Sequence, residues 1–211
     1  MKRNNVIYIS FKRIMDFIIG FLGTIFIVLP SYLIILIIYK IKGYKGSIFF
    51  TQYRAGLGGK KFKIIKFRSM VENAEEILEL NEELYEKYKK NSYKLPPDED
   101  PRLTNIGDFI RKTSIDELPQ FINLLLGDMS LIGPRPILDN ELDEYTEEER
   151  RILLSVRPGI TGIWQVSGRS DVFYPERCEM ELYYPKNQSF WLDIKIIFLT
   201  IKQVLTREGA H

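Results

Sequence analysis

The spacing of apolar and polar positions changes character several times along the chain. Residues 17–39, FIIGFLGTIFIVLPSYLIILIIY, run for 23 positions without a charge. At about 1.5 Å per residue, a helix of that length spans the roughly 30 Å of a hydrocarbon core. A buried helix of a soluble protein is rarely so uniformly apolar. A cleaved leader would be shorter and followed by a small-residue cleavage site. Pro30 sits near the centre, lacks an N–H and disfavours helical geometry at Leu29. The carbonyls freed there need partners that lipid does not offer, such as the Ser31 hydroxyl. Lys2, Arg3, Lys12 and Arg13 precede the run and Lys40, Lys42 and Lys45 follow it, against the single acid Asp16. Basic clusters at both ends give a single crossing no direction, and they suit anionic headgroups. The pattern predicts a helix-break-helix hairpin that enters one leaflet at Pro30 and Ser31 and returns. A kinked span is the alternative.

Beyond it the periods are those of a small mixed domain. Residues 47–54 and 61–68 read as a β-hairpin around Gly56-Leu57-Gly58-Gly59; GLGGKK lacks phosphate-loop spacing and precedes a strand, so it is taken as a turn. Ser69-x-x-Glu72 has capping-box form, and Ala74, Ile77, Leu78, Leu84, Tyr85 and Tyr88 then follow helical spacing, with an acid-rich solvated face. Residues 107–112 and 116–126 predict two short helices, 127–136 a turn-rich segment, 141–156 a charged helix and 157–169 a loop or short strand. Near the end, Phe190, Ile194, Ile197, Phe198, Ile201, Val204 and Leu205 share one helical face, opposite Asp193, Thr200, Gln203 and Arg207. Trp191 and nearby tyrosines favour the headgroup layer for that stripe over the protein core. The expected fold is α+β, with a re-entrant membrane hairpin at 1–45 and a mixed α/β cytoplasmic domain with interfacial amphipathic helices at 46–211.

Composition removes whole classes of chemistry. Net charge is +2 over 211 residues, which gives no global reason to expect nucleic acid as a partner. The only histidine is His211, so a histidine general base or a Ser-His triad is not expected. The only cysteine, Cys178, excludes an internal disulfide and multi-cysteine zinc, and reads as a small buried hydrophobe. Carboxylates, arginines, lysines and a hard metal ion remain.

The densest reactive cluster is Arg111-Lys112-Thr113-Ser114-Ile115-Asp116-Glu117-Leu118-Pro119. Pro119 is tolerated in a first helical turn, which predicts a helix with Asp116 as its N-cap and a carboxyl pKa lowered by the helix dipole. Such a carboxylate could equally be only a cap. Arg102, Arg111, Lys112, Arg135, Arg157 and Arg169 sit in loops or at element ends, where guanidinium groups on fixed backbone suit phosphate oxygens. Together with the hairpin, these features point to phosphoryl transfer at a membrane surface, with Mg²⁺ to neutralise phosphate charge.

These runs resemble the bacterial sugar transferases, the monotopic phosphoglycosyl transferases. The matching segments are Lys12-Arg13-x-x-Asp16, FFTQYRAGLGGKKFKIIKFRSM at 49–70, Asp100-Pro101-Arg102-Leu103-Thr104, RKTSIDELPQFINLLLGDMSLIGPRP at 111–136, RPGITGIWQVSGR at 157–169 and Gly209-Ala210. The resemblance covers nearly the whole chain and implies a member without the extra N-terminal membrane region of larger ones. Where the family commonly has Ser-Pro at the helix break, this chain has Leu29-Pro30-Ser31.

The resemblance implies that Asp116 attacks the sugar-bearing phosphorus of a UDP-sugar and releases UMP, and that a polyprenyl (undecaprenyl) phosphate then takes the sugar phosphate. Mg²⁺ would lie beside Asp116, with Glu117 as a second ligand or proton handler. Arg111 and Arg135 are the expected diphosphate contacts, with Lys66, Arg68, Arg157 and Arg169 as further candidates. The implied place is the bacterial inner membrane, with the active site on its cytoplasmic face, where the products start exopolysaccharide, capsule, O-antigen or glycoprotein glycans. A homodimer stays open. The rival expectation is a non-catalytic, membrane-anchored scaffold of polysaccharide assembly.

Overall fold

The computed structural model describes residues 3–91, 93, 95–167 and 172–206. The chain begins with α1 (Arg3–Gly23) and α2 (Leu29–Lys42), joined by a π-helical turn at Thr24–Val28. The backbone stays right-handed helical on both sides of the turn, with φ −62°, ψ −38° at Gly23 and φ −62°, ψ −48° at Leu29. Pro30, in the first turn of α2, has no N–H for the carbonyl four residues back. The helix widens instead, with the Leu29 N–H bonding the Thr24 carbonyl five residues back. At the start of this turn the Thr24 hydroxyl donates to Gly20 O at 2.7 Å.

The stretch Val6–Lys42, 37 residues, is long and apolar enough to cross a membrane, and only 17% of its most apolar window is buried against the protein. Its inner face docks on α6 (Gln120–Leu126). Two glycines allow that approach: a Cβ on Gly20 would lie 2.6 Å from Leu125 N, and one on Gly23 would lie 2.3 Å from the Phe121 ring.

The rest is mixed helix and small sheet. β1 (Phe49–Ala55) and β2 (Lys61–Phe67) form the expected antiparallel hairpin, with Thr51 opposite Ile65. Gly58, at φ 64°, and Gly59, at φ 81°, take the left-handed turn that their lack of Cβ permits. β3 (Ser130–Ile132) and β4 (Gly159–Thr161) pair in parallel, so part of the 127–136 turn segment and of the 157–169 loop is strand. α8 (Ile163–Ser167) follows β4.

Three helix expectations need correction. The helix after residue 72 is two pieces, α3 (Ala74–Glu79) and α4 (Glu82–Lys90), because Asn81 turns extended and caps α4 by accepting from Leu84 N–H. The N-cap of α3 is Asn73, so the Ser69-x-x-Glu72 pattern caps nothing, and Glu72 pairs with Arg68 instead. The charged helix at 141–156 is a 3₁₀ turn at Asn140–Glu144 followed by α7 (Glu147–Leu153), since Thr146 and Glu149 form a capping box that starts a new helix.

α9 (Glu176–Asn187), which the periodicity did not single out, carries Arg177, Cys178 and Glu181 into the core. Cys178 packs with Ala55, Ile137, Tyr145, Leu153 and Leu182, and burial pushes its thiol up to about 11, as an inert apolar residue. α10 (Phe190–Thr206) turns Asp193 and Thr200 inward along with the fully buried Ile196: Asp193 meets Tyr8, Lys12 and Tyr184, and Thr200 meets Thr161. Its Trp191, Phe198, Ile201, Val204 and Leu205 face outward, away from the protein core.

Candidate active site

The site begins with a reversal. α5 (Gly107–Lys112) ends, Ser114 takes a left-handed φ of 56°, and a 3₁₀ turn at Ile115–Glu117 follows. A non-glycine residue held there costs of order 1–3 kcal/mol, so the surrounding packing must impose it. α6 starts only at Gln120 with Pro119 as N-cap, and Asp116 therefore caps no α-helix. It points instead toward β2, where Lys66 Nζ lies 3.6 Å from Asp116 Oδ2 and 2.8 Å from Glu117 Oε1.

The expected lowering of the Asp116 pKa is reversed. Burial, at 8% exposure, and the neighbouring Glu117 raise it to about 6, with Lys66 and Arg111 pulling the other way. Desolvation sets the direction, and Asp116 does not cap the α-helix expected to lower it. At neutral pH the group is mostly ionised and unusually basic for an aspartate.

β2 is held in register against this turn by Asn123 of α6, which is 0% exposed. Its Oδ1 accepts from Ile65 N–H at 2.9 Å and its Nδ2 donates to the Lys63 carbonyl at 2.7 Å.

Arg111 stands on one flank, 3.3 Å from Asp100 Oδ2 and within electrostatic reach of Asp116. Asp100 also clasps Arg102 bidentately, at 2.7 and 2.8 Å; burial would raise its pKa, but the two arginines hold it below the ordinary value. Lys112 forms an exposed pair with Asp108, unrelated to the site. On the other flank Arg135 bonds Glu141 at 3.1 Å, and both Arg135 and Arg54 feel the charge of Glu117. Tyr88, over whose ring Arg102 lies at 5.3 Å, feels Arg54, Arg135 and Glu141 and so bridges the two flanks. Asp116, Glu117 and Lys66 form one contact cluster, with Arg111 and Arg135 within electrostatic range of its carboxylates.

Other candidates lie elsewhere. Arg157 donates from Nε to Gly127 O at 2.9 Å, and Arg13 donates to the carbonyls of Leu124 and Leu125; both satisfy the C-terminal end of α6, away from Asp116. Arg68 pairs with Glu72, and its carbonyl accepts the Tyr39 hydroxyl of α2, tying strand to the N-terminal apolar helix. Arg169, Arg207 and Gly209-Ala210 are outside the described residues.

Sequence reasoning missed the buried acids. Glu141 and Glu181 are each 1% exposed and bind the arginines around them, but in sequence they look like ordinary charges on helical segments. The only local signal for Glu141 is its nearness to GPRP at 133–136.

The chain belongs to the bacterial sugar transferase family, whose model matches residues 7–207. It is 43% identical over 203 residues to the undecaprenyl-phosphate galactose phosphotransferase of Salmonella typhimurium, which covers 95% of this chain and 41% of the relative. The same figures hold for the UDP-galactose-lipid carrier transferase of Erwinia amylovora. The exopolysaccharide production protein ExoY of Sinorhizobium fredii is 39% identical over 204 residues, covering 95% of this chain and 88% of that protein. The chain thus spans 41% of the first two relatives and most of the third.

Proposed function

We propose that the chain transfers a sugar 1-phosphate from a UDP-sugar to undecaprenyl phosphate, releasing UMP and starting an exopolysaccharide or related glycan. The observation that carries this reading is a buried aspartate, raised to about 6, that shares one ammonium group with its neighbouring glutamate. Elsewhere in the chain a buried carboxylate such as Glu181 is matched by a buried arginine, whereas Asp116 is buried beside a second carboxylate, the arrangement of a reactive site. A nucleophile gains from such burial, because loss of water leaves its lone pairs available.

In the first step an Asp116 carboxylate oxygen bonds to the sugar-bearing phosphorus while that phosphorus loses its bond to the oxygen of UMP. In the second, a lipid phosphate oxygen attacks the same phosphorus and the Asp116 carboxylate departs. Arg111 and Arg135 hold the diphosphate oxygens, and Lys66 offsets the charge of the carboxylate pair.

Asp116 and Glu117 fit Mg²⁺, because both carboxylates already converge on a single cation. No group of three or more His, Cys, Asp or Glu gathers among the described residues, so water and substrate phosphate oxygens would complete the shell. Bound there, Mg²⁺ neutralises phosphate charge.

The membrane hairpin belongs to this reading. The uncharged run of 23 residues suits a crossing as well as a re-entry, so the contacts at its two ends carry the choice. Both arms touch the same folded body, Tyr8 and Lys12 at Asp193 and Tyr39 at the Arg68 carbonyl. That favours entry and return on the cytoplasmic side of the inner membrane, with the outward apolar face of α10 resting in the headgroup layer.

Incubating the protein with UDP-galactose and Mg²⁺, without lipid, tests the chemistry. UMP release and a sugar-phosphate mass increment on Asp116, discharged by undecaprenyl phosphate, are expected. If turnover requires both substrates together and no adduct accumulates across a panel of UDP-sugars, the covalent route is wrong.

A further inference from the structure

Three arginines from three parts of the chain converge on one buried carboxylate. Glu141 lies 3.1 Å from Arg135 Nη1, 3.5 Å from Arg54 Nη1 and 3.8 Å from Arg177 Nη1, and its Oε2 also accepts the Leu138 N–H at 2.7 Å. Burial would favour its neutral form, but Arg135, Arg177 and Arg54 together hold its carboxyl below the ordinary range. The three arginines are not equivalent. Arg177 is fully buried, bonded to Glu181 at 2.8 Å, and lies 4.3 Å from the Trp164 ring and 4.7 Å from the Tyr174 ring. Arg54 is buried and bonded to the Pro136 carbonyl and Gln52. Arg135 is different: among the described residues its hydrogen bonds run from Nη1, both to Glu141, its guanidinium lies 5.8 Å from the Trp164 ring, and 22% of the side chain is exposed.

We propose that Glu141 is the positioning residue for the donor diphosphate: it grips one nitrogen of Arg135 and aims the remaining guanidinium edge at the site beside Glu117. The inference rests on the reading of Arg135 as a diphosphate contact. A guanidinium presents donors in a rigid plane, so fixing one nitrogen fixes the direction of the others. Arg54 and Arg177 in turn prevent Glu141 from rotating toward solvent. Three arginines against Glu141 and Glu181 leave an excess of positive charge next to where the diphosphate would lie.

Donor KM and kcat for Glu141→Gln, Arg135→Lys and the double variant test this, using whichever of UDP-galactose and UDP-glucose is turned over faster. Glu141→Gln is expected to raise donor KM about tenfold while kcat changes less than about threefold, the signature of lost binding rather than lost chemistry. Because Glu141 acts through Arg135, the double variant should resemble Arg135→Lys alone, whereas a merely structural role predicts losses that multiply. If Arg135→Lys leaves donor KM unchanged, the reading of Arg135 itself falls. If Arg135→Lys raises KM but Glu141→Gln does not, only the role of Glu141 falls. Should Glu141→Gln fail to fold, Glu141→Asp retains the charge but withdraws it by one methylene. A native donor KM in that variant overturns the proposal, and a raised KM with near-native melting upholds it.

Discussion

Asn123 closes the open edge of β2 by accepting the Ile65 N–H at 2.9 Å, while the same amide donates to the Lys63 carbonyl at 2.7 Å. The side chain thereby behaves like a third strand one residue long. Lys66 follows immediately in β2 and is delivered to Asp116 and Glu117.

Asn123→Ala leaves a strand N–H and a carbonyl unpaired in a partly buried seam. The expected cost is about 2–4 kcal/mol, which lowers the melting temperature by about 5 °C or more. Sugar-phosphate transfer should fall with it, since Lys66 loses its register. A variant with native melting and native turnover would remove Asn123 from the support of the site.

Asp116→Asn should abolish transfer and yet stabilise the protein at pH 8. The folded pKa, about 6, lies above the ordinary value of 3.8, so the folded state holds the proton more tightly than the unfolded one. Stability is full below about pH 4, declines as pH rises through about 6, and stays reduced above that. An amide has no such penalty. Melting curves without Mg²⁺ should show the variant ahead at pH 8 and level at pH 4; a variant that melts lower at pH 8 would mean that attraction to Lys66 outweighs burial.

Lys66→Met removes a cation that lowers the Asp116 pKa. The carboxyl then titrates above 6, and the acid limb of the pH profile for donor kcat/KM moves upward. A limb that stays in place would detach Lys66 from the ionisation of Asp116.

Arg157→Ala separates support from recognition. Its bond to the Gly127 carbonyl stabilises the end of α6, so melting should fall while donor KM stays within about twofold. A KM increase of tenfold would return Arg157 to the diphosphate.

Single cysteines at Asn5 and Lys45, in a Cys178→Ala background, test the hairpin. Both should react with a membrane-impermeant maleimide only from the cytoplasmic side. Periplasmic labelling at position 5 would mean a full crossing. Pro30→Ala should increase that labelling, because the helix regains its missing N–H and loses the cause of the π turn.

Local rules made much of this protein legible. An unbroken apolar run marks the lipid-compatible helix, two β-rich stretches around a glycine turn mark the hairpin, and the order of motifs marks the family and nominates Asp116 as a candidate. The first two depend on neighbours close in the chain, and the third on the order of motifs along it, so none needs a tertiary contact. Tertiary structure decided what depends on distant neighbours. The Asp116 pKa is raised, not lowered, because burial comes from packing against β2, about 50 residues away in sequence. The role of Arg157 follows from Gly127, and the importance of Glu141 follows from Arg54 and Arg177 on other elements. For α10, pattern predicted the amphipathic helix, but only tertiary packing decided that Asp193, seated between Tyr8, Lys12 and Tyr184, turns inward. Spacing along a chain records which residues share a face; desolvation and charge pairing depend on what that face meets.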